Sequence, residues 1–158
     1  MKIAFANDHA GFGAREHLVS RIRVLGHEVV DFGSNSDKPV AYAVYAKPAI
    51  KALLAGQVDR AVLVCGSGVG MSVAANRYPG VRCALVTDLF AARVSRTHND
   101  SNCLALRARE QSESLNDEIL EIWFNTPFEG GRHIERIEKI ETEAAGNCGC
   151  GAATPGAQ

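Results

Sequence analysis

The chain has 158 residues, 46% of them hydrophobic, with 17 basic side chains against 18 acidic ones. That length supports one domain with a proper core, and the balanced charge excludes a general affinity for nucleic acid or for an anionic membrane. No apolar run approaches the roughly 20 residues of a membrane span. The apolar opening Met1-Lys2-Ile3-Ala4-Phe5 turns polar at Asn7-Asp8-His9, too soon for a signal peptide, so a cytoplasmic location is expected.

Strand-like and helix-like segments alternate along the chain. Lys2 to Ala6 reads as a first strand. Gly11 to Leu25 reads as a helix, with Leu18, Ile22 and Leu25 at helical spacing and Gly26 ending it. His27 to Phe32 is a second strand, followed by a polar loop from Gly33 to Val40. Tyr42 to Ala55 is a second helix, with Pro48 as an alternative start. Arg60 to Val64 is the third strand, and Gly70 to Arg77 a short helix closed by Pro79-Gly80. Arg82 to Val86 is the fourth strand. Asp88 to Thr97 is a helix with Asp88 suited to its N-cap, and Asn102 to Leu106 is the fifth strand. Leu115 to Trp123 and Arg132 to Glu143 are two closing helices. This alternation implies an α/β fold: a doubly wound, Rossmann-like or flavodoxin-like parallel sheet of five strands in three layers, with an extra C-terminal helix. In a 2-1-3-4-5 strand order the winding reverses between the first and third strands, where such sheets bind ligands. Residues 1–143 are expected to form the domain. Residues 144–158, Gly- and Ala-rich, are expected to be a disordered tail.

The five cysteines are Cys65, Cys83, Cys103, Cys148 and Cys150. An odd count, with three in or beside strand-like runs, argues for reduced thiols. Cys148 and Cys150 form a C-x-C pair in the tail; two ligands make no closed zinc site, so the pair reads as incidental.

The stretch Cys65-Gly66-Ser67-Gly68-Val69-Gly70 carries the most chemical information. It links the apolar run Ala61-Val62-Leu63-Val64 to a helix start at Met71-Ser72-Val73. Glycines let backbone come close to a ligand, and loop amides with a helix N-terminus can face an anion. A thiol at that mouth is favoured as thiolate. The loop lacks the Gly-Lys-Ser/Thr ending of a phosphate-binding P-loop. It has Met71 where a cysteine phosphatase has Arg, and it is not the dinucleotide pattern at a first strand–helix turn. A plain glycine connection with an inert buried cysteine remains the competing reading at this point. Elsewhere, Asp8 and His9 leave the first strand together, though Asp8 also suits a helix cap. His98-Asn99 ends the Asp88 helix, where a histidine also suits the dipole. Arg132 and Arg136 share one helical face, suited either to a phosphate or to neighbouring glutamates. Together these groups suit a small phosphorylated substrate and a proton transfer beside a carbonyl.

Asn7-Asp8-His9-Ala10-Gly11, Asp31-Phe32-Gly33, the Cys65 to Ser72 stretch, Ala75-Asn76 and His98-Asn99-Asp100 resemble the B-type ribose-5-phosphate isomerases, across residues 1 to 143 in unchanged order. The wider family includes galactose-6-phosphate isomerase subunits. The resemblance implies aldose–ketose isomerisation in the pentose phosphate pathway, without metal or cofactor, between D-ribose 5-phosphate and D-ribulose 5-phosphate through a cis-enediolate. It implies Cys65 as the base, with the amides of Gly66, Gly68, Val69, Gly70 and their loop holding the enediolate oxygen. Ser67 and Asp8 assist the hydroxyl proton. His98 opens the furanose ring and Asn99 contacts the substrate. His9, Arg109, Arg132 and Arg136 bind phosphate, and Tyr42 lines the sugar pocket. It also implies a homodimer or tetramer with sites between subunits.

Two departures from the family pattern bear on substrate choice. Ala41-Tyr42-Ala43 stands where the family has Asp-Tyr-Pro, and Arg107-Ala108-Arg109 where it has Gly-Ala-Arg. A hexose 6-phosphate isomerase of the allose or galactose type, and a non-catalytic sugar-phosphate-binding subunit, therefore stand as alternatives. A thiol redox protein is disfavoured by the absence of C-x-x-C.

Overall fold

Alternation within the strands sorts the apolar residues into two layers, one on each side of a sheet. Ile3 and Phe5, Val62 and Val64, and Leu104 and Leu106 face one side. Ala4 and Ala6, Ala61, Leu63 and Cys65, and Cys103 and Ala105 face the other. The computed structural model describes residues 1–146 and places these side chains on β1 (Lys2–Asn7), β3 (Arg60–Cys65) and β5 (Cys103–Arg107), with β2 (Glu28–Asp31) and β4 (Cys83–Leu85) completing the sheet. Every pairing is parallel. The helices are α1 (Phe12–Val24), α2 (Tyr42–Leu54), α3 (Val69–Ala75), α4 (Leu89–Thr97), α5 (Glu113–Asn125) and α6 (Arg132–Gly146), and a 3₁₀ turn spans His9–Gly11. The α/β class, the five parallel strands and the extra C-terminal helix are as expected. Helix α6 runs past the boundary expected at residue 143, and Cys148, Cys150 and the rest of the expected tail lie outside the described residues. Among the described residues, no helix is long and apolar enough to cross a membrane.

The strand order is β2-β1-β3-β5-β4, not 2-1-3-4-5. The swap follows burial. Strand β5 offers Cys103, Leu104, Ala105 and Leu106, all at 0% exposure, and a strand buried on both faces belongs inside a parallel sheet. Strand β4 is only three residues long and partly exposed, which suits an edge. The reversal of winding between β1 and β3 is unaffected.

Helices α2 and α3 cover the alanine-rich face, so α2 can sit close through Ala46, Ala49 and Ile50. That burial explains why α2 starts at Tyr42 and runs straight through Pro48 rather than beginning there. A proline inside a helix loses one backbone hydrogen bond and costs roughly 3 kcal/mol, a cost the packed face outweighs. Helix α4 is capped as expected, with Asp88 Oδ1 accepting the Ala91 N–H at 2.7 Å.

On the other face Trp123 of α5 is the largest wholly buried side chain. Its indole N–H donates to Ser101 Oγ at 2.8 Å, and the Arg60 and Arg96 guanidinium groups lie 5.0 and 5.9 Å from its ring. Burial, then the neighbouring Arg96, pulls Arg60 down to about 10. Arg96 is itself buried and donates to the Ser101 carbonyl at 2.6 Å and pairs with Asp100 at 2.8 Å. This network pins the turn between α4 and β5. Trp123→Phe keeps most of the apolar bulk but strands the Ser101 hydroxyl; unfolding in urea should show a loss of about 1–3 kcal/mol, with the folded secondary structure retained.

Candidate active site

Parallel pairing of β1 with β3 runs to Asn7 against Val64, so the two strands end side by side. The Asp8 N–H then donates to the Val64 carbonyl at 3.2 Å, fastening the end of one strand to the other. Asn7, wholly buried, holds the departing chain by donating to the carbonyls of Asp8 and Ser34 at 2.9 and 3.2 Å. The Asp8 side chain does cap the 3₁₀ turn: Oδ1 accepts the N–H groups of Ala10 and Gly11 at 2.9 and 3.0 Å. The cap reading of Asp8 is thus met through Oδ1, and the same residue also lines a cavity.

That cavity, about 360 Å³, is walled by Asp8, Tyr42, Cys65, Ser67, Arg107 and Arg109, with Gly66, Gly70 and Glu110 completing it. Cys65, the last residue of β3, forms its floor, and the Gly68 N–H donates to its sulfur at 3.1 Å. A backbone amide on Sγ fixes the sulfur without a side-chain partner. The Val69 N–H reaches Ser67 Oγ at 3.4 Å. The loop is held from the other side by the extension of β5: Ala108 N–H donates to the Cys65 carbonyl at 2.9 Å and Arg109 N–H to the Gly66 carbonyl at 3.1 Å. Its glycines are required by sterics. Gly68 has φ of +74°, and a Cβ there would lie 2.4 Å from Leu85 Cδ1 and 3.2 Å from the Leu106 carbonyl oxygen. A Cβ on Gly70 would lie 2.9 Å from the Tyr42 ring, which packs against this glycine.

His9 does not line the cavity. Its Nδ1 accepts the Val40 N–H at 3.2 Å, tying the loop before α2 to the end of β1 and leaving the ring proton to Nε2. Two residues of the wall carry more than the sequence reading assigned to them. Arg107 is register-paired with Cys65 and bonded to Glu110 at 3.1 Å. Glu110, at φ of +57°, was missed, although its position three residues after Arg107 was a signal. A larger cavity, about 430 Å³, lies between α4 and α5 beside Arg93, Glu118, Glu121 and Asn125; no thiol or imidazole lines it.

The remaining expected site residues gather elsewhere. His98 caps the C-terminus of α4, and Asn99 follows it, exposed. Both precede β5, whose first residue Cys103 pairs with Ala61 at the start of β3. They therefore stand at the amino end of the strands, whereas Cys65 stands at the carboxyl end. Asn99 lines a separate cavity with Asn76, Arg82 and Ser101. Arg132 and Arg136, on exposed turns of α6, lie close enough to His133 to act on its charge. One chain thus unites Asp8, Tyr42, Cys65, Ser67, the glycine loop and Arg109, and holds His98, Asn99, Arg132 and Arg136 apart from them.

The family model described as Ribose/Galactose Isomerase matches residues 3–140. The chain belongs to the ribose/galactose isomerase family. Ribose-5-phosphate isomerase B of Escherichia coli is 40% identical over 139 residues, covering 88% of this chain and 93% of its own. Among solved structures, ribose-5-phosphate isomerase B of Clostridium thermocellum superposes with a TM-score of 0.90 at 37% identity, covering 92% of this chain and 99% of its own. That of Mycoplasma genitalium, solved with bound ribulose-5-phosphate, gives 0.86 at 34% identity, with 91% and 96% covered. The chain is accordingly an isomerase, and its family supports sugar-phosphate isomerisation.

For this family member the loop makes a sharp test. Gly68→Ala forces an L side chain into a left-handed turn against Leu85 and the Leu106 carbonyl, so denaturant unfolding should reveal a loss of about 1–3 kcal/mol. Gly13→Ala, where a Cβ meets nothing within 4 Å, should leave stability within about 1 kcal/mol of the parent.

Proposed function

We propose that the chain interconverts D-ribose 5-phosphate and D-ribulose 5-phosphate, with Cys65 as the base. The observation that carries this is the Cys65 sulfur, held by the Gly68 amide on the floor of a cavity that also presents Asp8, Ser67 and Arg109. In the open-chain aldose the Cys65 thiolate takes the proton from C2. The carbonyl electrons move to O1, and the resulting enediolate lies against the loop amides. The thiol then returns the proton to C1 while the hydroxyl proton passes from O2 to O1, assisted by Ser67 and Asp8. The product is the ketose, with no change in overall atoms or charge. Preorganised amides at such an oxyanion contribute roughly 3–4 kcal/mol for one strong donor. Arg109 serves the phosphate from the cavity wall, and His9, outside that wall, is assigned to the phosphate by the family resemblance alone. No cofactor or metal enters these steps.

A second copy of the chain completes the site in this reading. Ring opening needs an acid and base, assigned to His98, and the phosphate needs Arg132 and Arg136, with Asn99 on the sugar. These four stand at the other end of the strands in their own chain. Beside the Cys65 cavity, Tyr42, Val69 and Val73 leave 41%, 50% and 57% of their surface exposed, an apolar rim for a second copy to cover. Reduced Cys65, Cys83 and Cys103 fit a cytoplasmic homodimer. A pentose rather than a hexose phosphate is favoured by the relatives named ribose-5-phosphate isomerase B, one of them solved with bound ribulose-5-phosphate.

Two variants test this together. Cys65→Ala should reduce turnover of ribose 5-phosphate by roughly 10²–10⁴-fold while shifting stability by only about 1 kcal/mol. His98→Asn should be similarly impaired when made alone. Co-expressing the two should restore about a quarter of the parental activity, through mixed dimers that keep one intact site. Failure of the mixture to recover activity would reject the shared site. Faster turnover of a hexose 6-phosphate than of ribose 5-phosphate by the parent would reject the substrate.

A further inference from the structure

Three potential metal ligands that the proposed chemistry does not need as a set meet where α4 ends and α6 begins. The His98 and His133 rings stack, with centroids 4.4 Å apart and planes 11° from parallel. Both direct Nε2 at the same carboxylate oxygen, Glu129 Oε2, at 4.0 and 3.9 Å, too long for hydrogen bonds. One ligand atom from each residue lies within 4.8 Å of the other two. Backbone makes the meeting: the Glu129 N–H donates to the Thr97 carbonyl at 3.1 Å, and Gly130 and Gly131, at φ of +67° and +57°, turn the chain into α6. His133 is 5% exposed and fixed, while Glu129 is exposed and His98 partly so.

We infer that His98, Glu129 and His133 form an inhibitory binding site for Zn²⁺, with water as the fourth ligand. Two imidazoles and a carboxylate are a set that zinc accepts, at about 2.0–2.2 Å from each donor. Side-chain rotation of Glu129 and His98 toward the fixed His133 closes the remaining gap. Arg132 and Arg136 lie close enough to His133 to act on its charge. The two arginines work against a bare cation, and the Glu129 carboxylate offsets part of that repulsion. The inhibitory half of the inference rests on the reading of His98 as the ring-opening group. Zinc on Nε2 occupies the lone pair or replaces the proton that ring opening uses, so activity falls while metal is bound. Zinc at this place is a brake and takes no part in the isomerisation.

The test uses the full chain carrying Cys148→Ser and Cys150→Ser, stripped of metal, with zinc added in a non-chelating buffer and binding followed by calorimetry. The expected result is one zinc per chain. Glu129→Gln should weaken binding at least about tenfold with turnover of ribose 5-phosphate unchanged and its zinc sensitivity reduced in the same proportion. His133→Gln should weaken binding likewise, and Cys65→Ser should leave it intact. Absence of binding, or equal binding in Glu129→Gln, would overturn the site. Loss of binding in Cys65→Ser would overturn it in favour of the thiol. Zinc bound at these residues with turnover unaffected would overturn the inhibition alone. A chain that binds zinc here yet turns over no sugar phosphate would support the site and count against the proposed isomerase reading instead.

Discussion

The hydrogen-bonded pairing of β1 with β3 is the constraint on which the cavity depends. With Ala6 against Leu63 and Asn7 against Val64, the chain that leaves β1 and the chain that leaves β3 start from adjacent points. Neighbouring strands lie only about 4.8 Å apart, so Asp8 and Cys65 address the same small volume. The alternation of side chains adds a second condition. Cys65 belongs to the alanine-rich face with Leu63 and Ala61, beneath α2 and α3. A slip of one residue in β3 would carry it to the opposite face, away from Tyr42 and the glycine loop. The large apolar residues Phe5, Val62 and Val64 on that opposite face make such a slip costly, because they would have to enter a layer sized for alanine.

Placing β5 inside the sheet gives the same cavity its positive wall. Strand β5 lies against β3, so its continuation passes Cys65 and Gly66 and accepts the role of a brace through the Ala108 and Arg109 amides. Arg107 and Arg109 reach the cavity for that reason. In the 2-1-3-4-5 order at the same register, Thr87 would have stood where Arg107 does and Leu89 where Arg109 does, and neither carries a positive charge. The strand order, which looks like a detail of topology, therefore decides whether an anion finds a cation beside the sulfur.

Much of this was legible in the sequence because the signals are local. Apolar runs bounded by Gly and Asp marked all five strands to within two residues, and the cap at Asp88 has the predicted bond. The glycine loop between an apolar run and a helix start announced a backbone that must pass close to something; Gly68 and Gly70 are pressed against Leu85 and Tyr42. What was not legible was non-local. The choice between β4 and β5 for the inner position depends on burial summed over whole strands, and as strings Cys83-Ala84-Leu85-Val86 and Cys103-Leu104-Ala105-Leu106 carry four apolar residues each. Pro48 left a second possible start for α2, and packing of the buried side of the helix decides for the expected start at Tyr42. Glu110 escaped notice because its relevance comes from Arg107, which only the β3–β5 register places beside the thiol.

The separation of His98 from Cys65 was derivable, and the reason is geometric. In a parallel sheet with right-handed crossovers the helices run against the strands, so a helix C-terminus lies at the amino end of the sheet. Cys65 closes a strand and His98 closes a helix. Residues with those two addresses stand at opposite ends of one domain whatever the loops between them do. On the proposed function, chemistry that needs both is divided between two copies, and neither copy alone is competent. The division also shapes the half that each chain carries. The imidazoles of His98 and His133 are set beside Glu129 by backbone of the same chain, through the Glu129 N–H on the Thr97 carbonyl, before any second copy is involved. A half-site assembled independently of its partner keeps its own ligand chemistry, so on the two proposals together His98 serves proton transfer across an interface and is open to a metal within its own chain.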